Sequence, residues 1–303
     1  MTKDLSIIIA SYNTQELTRN CIRKIRDSTH FISYEIIVVD NASSDGSQRM
    51  IRDEFADVKL IANKKNIGFS KANNQGIRAA EADLVLLLNS DTILHDSSLD
   101  KCAAFMRSNP SVGVLGCKIL NADGSIQQSC FREPNILSEL VYFTPAALLR
   151  HRDPVSRHKW LQGRNLLGSG NVDFIAGNFL LIRKTVFEKV GLLDESFFMY
   201  YEDAEFCKRV RQKSQYKVYY FADASITHYG AGTEPPPDTD KIILAYNSIR
   251  NYFGITRGTL YKHVFTAVCK SVMLIELPVL ALFSFDKRFR KKFANFLRLV
   301  LSR

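Results

Sequence analysis

Residues 84–92, LVLLLNSDT, constrain the fold of this chain more than any other stretch. Five consecutive apolar residues, Leu84–Leu88, run straight into Asn89, Ser90 and Asp91. A strand without polar alternation is covered on both faces, as the central strands of parallel sheets are. The polar triplet then lies at the carboxyl end of the strand, where open α/β sheets bind ligands. A carboxylate at that mouth, with no lysine in the triplet, suits a divalent cation, and a cation there would hold a diphosphate. The same residues also serve to end a strand and cap a following helix, and the triplet alone leaves both readings open.

The flanking sequence repeats the pattern. Leu5–Ala10 is an apolar run closing on Ser11-Tyr12-Asn13, with Thr14 as the N-cap of a helix through about Asp27. Glu35–Asp40 is a second β-branched run that ends on an acid, followed by turn residues Asn41–Ser47 and a helix carrying Met50, Ile51 and Phe55. Val58–Ala62 is a third strand, Asn63–Phe69 a loop, and Ser70–Ala80 a helix rich in small and amide residues. Strands alternating with helices predict a mostly parallel α/β sheet flanked by helices. Leu99–Arg107 reads as a helix and Val112–Leu120 as a strand, whereas 121–170 has no periodicity and reads as a functional or flexible region. Order returns at Val172–Ile182, at a short helix Thr185–Val190 closed by Gly191, and at a helix opening on Glu202-Asp203. Val218–Phe221 and Ala224–Thr227 read as two short strands before His228, and Gly230–Pro237 as a loop.

From Asp240 the chain becomes helical and apolar. Val264–Phe285 is interrupted by Lys270, Glu276 and Pro278, and its longest charge-free run falls far short of the roughly 20 residues a span needs. Phe289, Phe293, Phe296, Leu297 and Leu299–Leu301 interleave with Lys287, Arg288, Arg290, Lys291, Lys292 and Arg298, a pattern that fits a helix lying on an anionic membrane surface. Much of the formal charge of +10 sits there, and no nucleic-acid reader motif accompanies it. The six cysteines have no CxxC pair or metal-finger spacing, so buried reduced thiols and a cytoplasmic location are expected. Leu5–Ile9 already reads as a strand, so no signal peptide is expected ahead of it. The expected domains are 1–235, divided at 120 into two halves, and a helical region 236–303.

No GxGxxG follows the first strand and no GxxxxGK[ST] occurs, which argues against a dinucleotide oxidoreductase and a P-loop ATPase. Asp40, as an acceptor-only carboxylate, suits the imide N–H of a uracil or thymine ring, or simply caps the turn after it. SIIIASYN at Ser6–Asn13, IIVVDNASSDGS at Ile36–Ser47, NIGFSKANNQGI at Asn66–Ile77, LLLNSDT at Leu86–Thr92 and GLLDESFFMYYEDAEFCKR at Gly191–Arg209 occur in that order. Together they resemble the family 2 glycosyltransferases, most of all the bacterial rhamnosyltransferase-like branch that builds surface polysaccharides. The likeness covers residues 4–233 and implies that 1–120 is the nucleotide-sugar-binding half and 121–235 the acceptor and catalytic half, with 121–170 contributing to acceptor selection.

That resemblance implies a GT-A fold, a nucleotide-sugar donor, a divalent metal (Mn2+ or Mg2+) and inversion at the anomeric carbon. It implies Asp203 as the catalytic base, with Asp91 as the metal-binding acid and His228 completing the metal shell; Asn89 stands where the family's first acid would be. Ala10, Tyr12, Asp40, Asn66, Gly68, Phe69, Asn73, Asn89 and Ser90 would bind the nucleotide sugar, and Gly177, Asn178, Tyr200 and Glu202 the acceptor. The aromatic run Phe197-Phe198-Tyr200-Tyr201 suits stacking on a sugar ring. The expected reaction moves L-rhamnose from dTDP-rhamnose to a lipid-linked glycan at the inner face of the plasma membrane. Galactofuranose, glucose or N-acetylglucosamine from UDP donors, and a non-catalytic nucleotide-sugar-binding assembly subunit, are the alternatives.

Overall fold

A computed structural model describes residues 3–143, 166–230, 241–282 and 287–301. They group into two compact units. The first holds 3–133, 166–198 and 202–230, and the second holds 134–143, 199–201, 241–282 and 287–301.

The first unit is built on parallel strands β1 (Leu5–Ser11), β2 (Tyr34–Asp40), β3 (Lys59–Ala62) and β4 (Leu84–Asn89). Helices α1 (Gln15–Ser28), α2 (Ser47–Glu54) and α3 (Phe69–Ala79) connect them. β1 lies between β2 and β4, with Ile7 level with Ile36 and Leu86. All five apolar residues of β4 are buried, which is why its sequence shows no alternation. Ile7, Ile9, Leu86 and Leu88 pack with Cys21, Ile22 and Ile25 of α1. On the opposite face α3 comes so close that a Cβ on Gly76 would meet Ile8 Cγ2 at 2.4 Å, so only glycine fits there.

Beyond β4 the sheet departs from the simple pattern. After Asp91 the chain does not enter a helix but returns to the sheet as β5 (Thr92–Leu94), and α4 begins only at Ser98, running to Ser108. The helix-capping reading of Asp91-Thr92 is therefore corrected: Thr92, β-branched and fully buried, starts a strand. β6 (Val112–Leu120) follows α4, and two-residue strands β7 (Ile126–Gln127) and β8 (Cys130–Phe131) fall in the segment that shows no periodicity. Within that segment 144–165 lies outside the described residues. Then come β9 (Gly170–Asn171), β10 (Phe174–Ile175), β11 (Phe179–Arg183), α6 (Lys184–Val190), α7 (Glu202–Lys213) and β12 (Lys217–His228). β12 is one strand where the sequence reads as two, because its register shifts between Phe221 and Ser225 without ending the pairing. The main sheet runs β3-β2-β1-β4-β11-β6-β12-β5, with β7 added to β6 and β9 to β12. β11 and β5 run antiparallel to their neighbours.

The second unit contains α5 (Ile136–Phe143), α8 (Lys241–Arg257), α9 (Thr259–Leu282) and α10 (Lys287–Leu301). α9 is one 24-residue helix through Lys270, Glu276 and Pro278, long and apolar enough by length and composition to cross a bilayer. One of its faces, Phe265, Cys269, Met273 and Leu280, is fully buried, while Leu260, Val264, Ile275 and Leu282 on the other are exposed. Lys270 Nζ donates to the Val300 carbonyl at 3.2 Å, in the last turn of α10. The Met199–Tyr201 segment is anchored within this unit: Ser248 Oγ donates to the Met199 carbonyl at 2.6 Å, and Tyr201 Oη to Glu139 Oε2 at 2.5 Å.

All six cysteines are buried as reduced thiols. Burial pushes the thiols of Cys21, Cys207 and Cys269 up to about 12, far from the thiolate form.

Candidate active site

The carboxyl ends of β1, β2 and β4 form one edge of the first unit's sheet, and most of the expected donor-binding residues lie there or on the loop before α3. Ala10, level with Val39 and Asn89, and Tyr12 just after it are half-buried. Asp40 is fully buried. Its Oδ1 accepts from the Ser43 amide at 3.0 Å and Gln48 Nε2 at 2.6 Å, while Oδ2 has no hydrogen-bond partner. A buried unpaired acceptor costs about 1–3 kcal/mol, so a ligand N–H reaching it would recover that amount.

The loop before α3 is shaped by Gly68. With φ at +86°, and with the Phe198 carbonyl only 2.6 Å from where a Cβ would stand, no other residue fits without displacing backbone. Asn66 Oδ1 accepts from the Gly68 amide at 3.0 Å, and the Phe69 amide donates to the Phe198 carbonyl at 2.6 Å. The Phe69 ring is thereby set against Gly177, which in turn lies beside Asp203. Asn73 is buried and donates to the Phe69 carbonyl, and Ser90 is buried and accepts from Thr14 Oγ1. Asn73 thus braces the backbone of the loop, and Ser90 ties the end of β4 to the Thr14 hydroxyl.

Asp91 and His228 come together through strand register. β5 pairs antiparallel with β12 so that His228 stands level with Thr92, the residue after Asp91. His228 Nε2 is 3.3 Å from Asp91 Oδ1 and 3.3 Å from Asn89 Nδ2. Its Nδ1 is 2.7 Å from Gln127 Oε1. A carboxylate and an imidazole this close can share one cation. Among the described residues no group of three or more His, Cys, Asp or Glu is placed to hold a metal. A cation held by these two side chains would therefore take its other oxygens from a ligand such as a diphosphate.

Asp203 sits in the first turn of α7. Its Oδ2 accepts from the Gly177 amide at 2.9 Å and its Oδ1 from the Ala204 amide at 2.7 Å. Burial raises its pKa from 3.8 to about 6, outweighing the two amides, which favour the charged form. Glu202, nearly fully buried and with Oε2 unpartnered, is pushed well above the usual carboxyl range by burial and by the charge of Asp203. Burial thus raises both carboxyls, and that of Glu202 is raised further by the neighbouring charge of Asp203.

One short segment joins both halves. Gly177 gives its amide to Asp203, and the Asn178 carbonyl accepts from the Asn89 amide at 3.2 Å. Asn178 Nδ2 reaches Gln127 Oε1 at 3.4 Å, the same oxygen that faces His228. Gly177 thus supports Asp203 directly, and Asn178 lies on the Asp91–His228 side. The break at Ala176-Gly177-Asn178 in the apolar run is visible in the sequence; Gln127, in a two-residue strand, carries no signal there.

The aromatic run does not form one wall. Phe197 is core, Phe198 supports the Gly68 loop, and Tyr201 is committed to Glu139 in the second unit. Tyr200 and Tyr201, at φ 71° and 67°, hold left-handed backbone that tyrosine rarely adopts.

Residues 6–191 match the profile of the family described as Glycosyl transferase family 2. The chain is 31% identical over 218 residues to the low-salt glycan biosynthesis hexosyltransferase Agl10 of Haloferax volcanii, covering 71% of this chain and 64% of that protein. It is 28% identical over 211 residues to the N-acetylglucosaminyl-diphospho-decaprenol L-rhamnosyltransferase of Mycobacterium tuberculosis, covering 65% of this chain and 66% of that one. These matches span just under two thirds of the length of those relatives. Among solved structures, a mannosyltransferase from Pyrobaculum calidifontis in complex with GDP-Man and Mn2+ superposes with a TM-score of 0.57 at 13% identity, covering 99% of this chain and 86% of that one. That likeness bears on fold alone, and the fold is GT-A.

Proposed function

Because the chain belongs to glycosyltransferase family 2, we propose that it is a metal-dependent inverting transferase that moves L-rhamnose from dTDP-rhamnose to a lipid-linked glycan. The observation that carries the reading is the single hydrogen-bonded site in which residues 176–178 connect Asp203 to the Asp91–His228 pair.

In that site each residue has a distinct task. Asp40 Oδ2 accepts the imide N–H of the pyrimidine, satisfying a buried oxygen that otherwise lacks a partner. Asp91 and His228 hold the divalent cation, Mn2+ or Mg2+, with the imidazole favouring Mn2+. When bound, that cation offsets the negative charge left on the departing diphosphate. Asp203, ionised above about pH 6, takes the proton of the acceptor hydroxyl as its oxygen bonds to the anomeric carbon from the face opposite the diphosphate. The Gly177 and Ala204 amides fix the direction in which the carboxylate points. Glu202 beside it, when protonated, can donate to an acceptor oxygen. Rhamnose and a lipid diphosphate acceptor draw support from the similarity to the mycobacterial N-acetylglucosaminyl-diphospho-decaprenol L-rhamnosyltransferase.

The second unit gives the acceptor's membrane a docking face. Leu260, Ile275 and Leu282 of α9 and Leu301 of α10 are largely exposed, and Arg290 and Arg298 supply positive charge. The reading places the enzyme in the cytoplasm, peripheral at the inner face of the plasma membrane.

The test is release of nucleoside diphosphate from dTDP-rhamnose and from UDP-galactofuranose, UDP-glucose and UDP-N-acetylglucosamine, each with Mn2+, Mg2+ or EDTA. Metal-dependent release from dTDP-rhamnose, lost in Asp91→Ala, is expected. Release from a UDP sugar alone would reassign the donor. Donor binding without turnover, even with a lipid-linked acceptor supplied, would favour a non-catalytic assembly subunit.

A further inference from the structure

We propose that Gln127 is a positioning residue that fixes the His228 ring so that Nε2 is the nitrogen offered beside Asp91. The inference rests on the reading that His228 holds the cation. Gln127 lies in β7, where it pairs with Ile119 of β6, and β6 in turn pairs with β12 so that Leu120 is level with Thr227, the residue before His228. Its side chain therefore reaches His228 across the end of β6, the strand that lies between β7 and β12.

The orientation of the amide is set by its surroundings. Gln127 Nε2 donates to Asn121 Oδ1 at 2.8 Å and to the His228 carbonyl at 3.4 Å, and a backbone carbonyl can only accept. The opposite amide orientation would put oxygen against that carbonyl. Oε1 is thus the atom that meets His228 Nδ1 at 2.7 Å, and Asn178 Nδ2 donates to the same oxygen at 3.4 Å. An amide oxygen is an acceptor only, so Nδ1 carries a proton whether the ring is neutral or charged. Loss of a proton then leaves the lone pair on Nε2, the nitrogen 3.3 Å from Asp91 Oδ1. Without Gln127 only the longer contact from Asn89 Nδ2, at 3.3 Å, holds the lone pair on Nε2, and the ring can take the other tautomer or turn about its bond to Cβ, moving the lone pair away from Asp91. Partners of this kind behind a metal-binding histidine typically contribute 10–100-fold to metal affinity.

The experiment pairs a metal-free readout with a metal-binding one. In protein labelled with 15N-histidine and free of metal, the His228 ring should show a protonated Nδ1 and an unprotonated Nε2 at a pH where the ring is neutral. Gln127→Leu should populate the other tautomer, while Gln127→Glu, which keeps an acceptor at Oε1, should retain the first. Mn2+ affinity, read by electron paramagnetic resonance with dTDP present, should weaken about 10–100-fold in Gln127→Leu and less in Gln127→Glu. An unchanged tautomer in Gln127→Leu overturns the positioning role, as does Mn2+ affinity equal to wild type in a Gln127→Leu protein whose tautomer has changed. His228→Ala separates the underlying reading: Mn2+ affinity unchanged in that variant would show that His228 does not hold the cation, whatever its tautomer.

Discussion

Asp203 makes its strongest prediction through pH. Burial lifts its carboxyl to about 6 from the ordinary 3.8, and a general base works only when ionised. The ionised fraction is then about a tenth at pH 5, half at pH 6 and nine tenths at pH 7, so turnover should rise about tenfold between pH 5 and pH 7. An aspartate at its ordinary value would be more than about 90% ionised at pH 5, and the rate would scarcely change. The assay is the initial rate of nucleoside diphosphate release at saturating donor and Mn2+. Mn2+-dependent nucleotide affinity is measured over the same range, so that loss of metal at low pH is not mistaken for protonation of the base. A rate limb near pH 4, or a flat profile from pH 5 upward with affinity unchanged, would refute the placement of Asp203 as a base with a raised carboxyl pKa.

Glu202 leads to a stability prediction. Its carboxyl pKa is raised in the folded state, so its stabilising contribution is complete below the unfolded value near 4.5 and is lost as pH rises through the folded value. Glu202→Gln removes that loss, and the Tm difference between the variant and wild type should therefore grow as pH increases; a difference that stays constant or shrinks would contradict it. Gly68→Ala forces a Cβ onto the Phe198 carbonyl at a left-handed φ and should lower stability by about 1–3 kcal/mol in urea unfolding, whereas a change under about 0.3 kcal/mol would show that the loop is looser than described. Replacing Arg290 and Arg298 together with serine should weaken binding to anionic vesicles about 30-fold at low salt, at about 1 kcal/mol for each arginine, with donor turnover retained; equal vesicle binding would dismiss the basic helix as a membrane contact.

Parts of this site could be read from the sequence and parts could not, for physical reasons. β4 was legible because burial on both faces demands an unbroken apolar run, and the polar residues at its end mark where the sheet meets its ligand. The junction of Asp91 with His228 depends on pairing between a three-residue strand and a strand far away in sequence, and strands that short leave no periodicity. For the same reason Gln127 had no signal. The register shift in β12 looks like a strand break in the sequence because Ala222 and Asp223 interrupt the apolar pattern, yet the backbone pairing resumes at Ser225. The aromatic run before Glu202 misled for a different reason: composition shows that four rings are present, but not that one is core and another is bonded to Glu139.

The most direct test of the central claim is the turnover of Asp203→Asn measured beside its nucleotide affinity. Asparagine keeps the side-chain shape but cannot take up the acceptor's proton. Mn2+-dependent nucleotide binding should stay within about twofold of wild type while the rate falls by at least about 100-fold. Turnover close to wild type, with the nucleotide bound normally, would show that another group removes the proton and that Asp203 is not the base of this site.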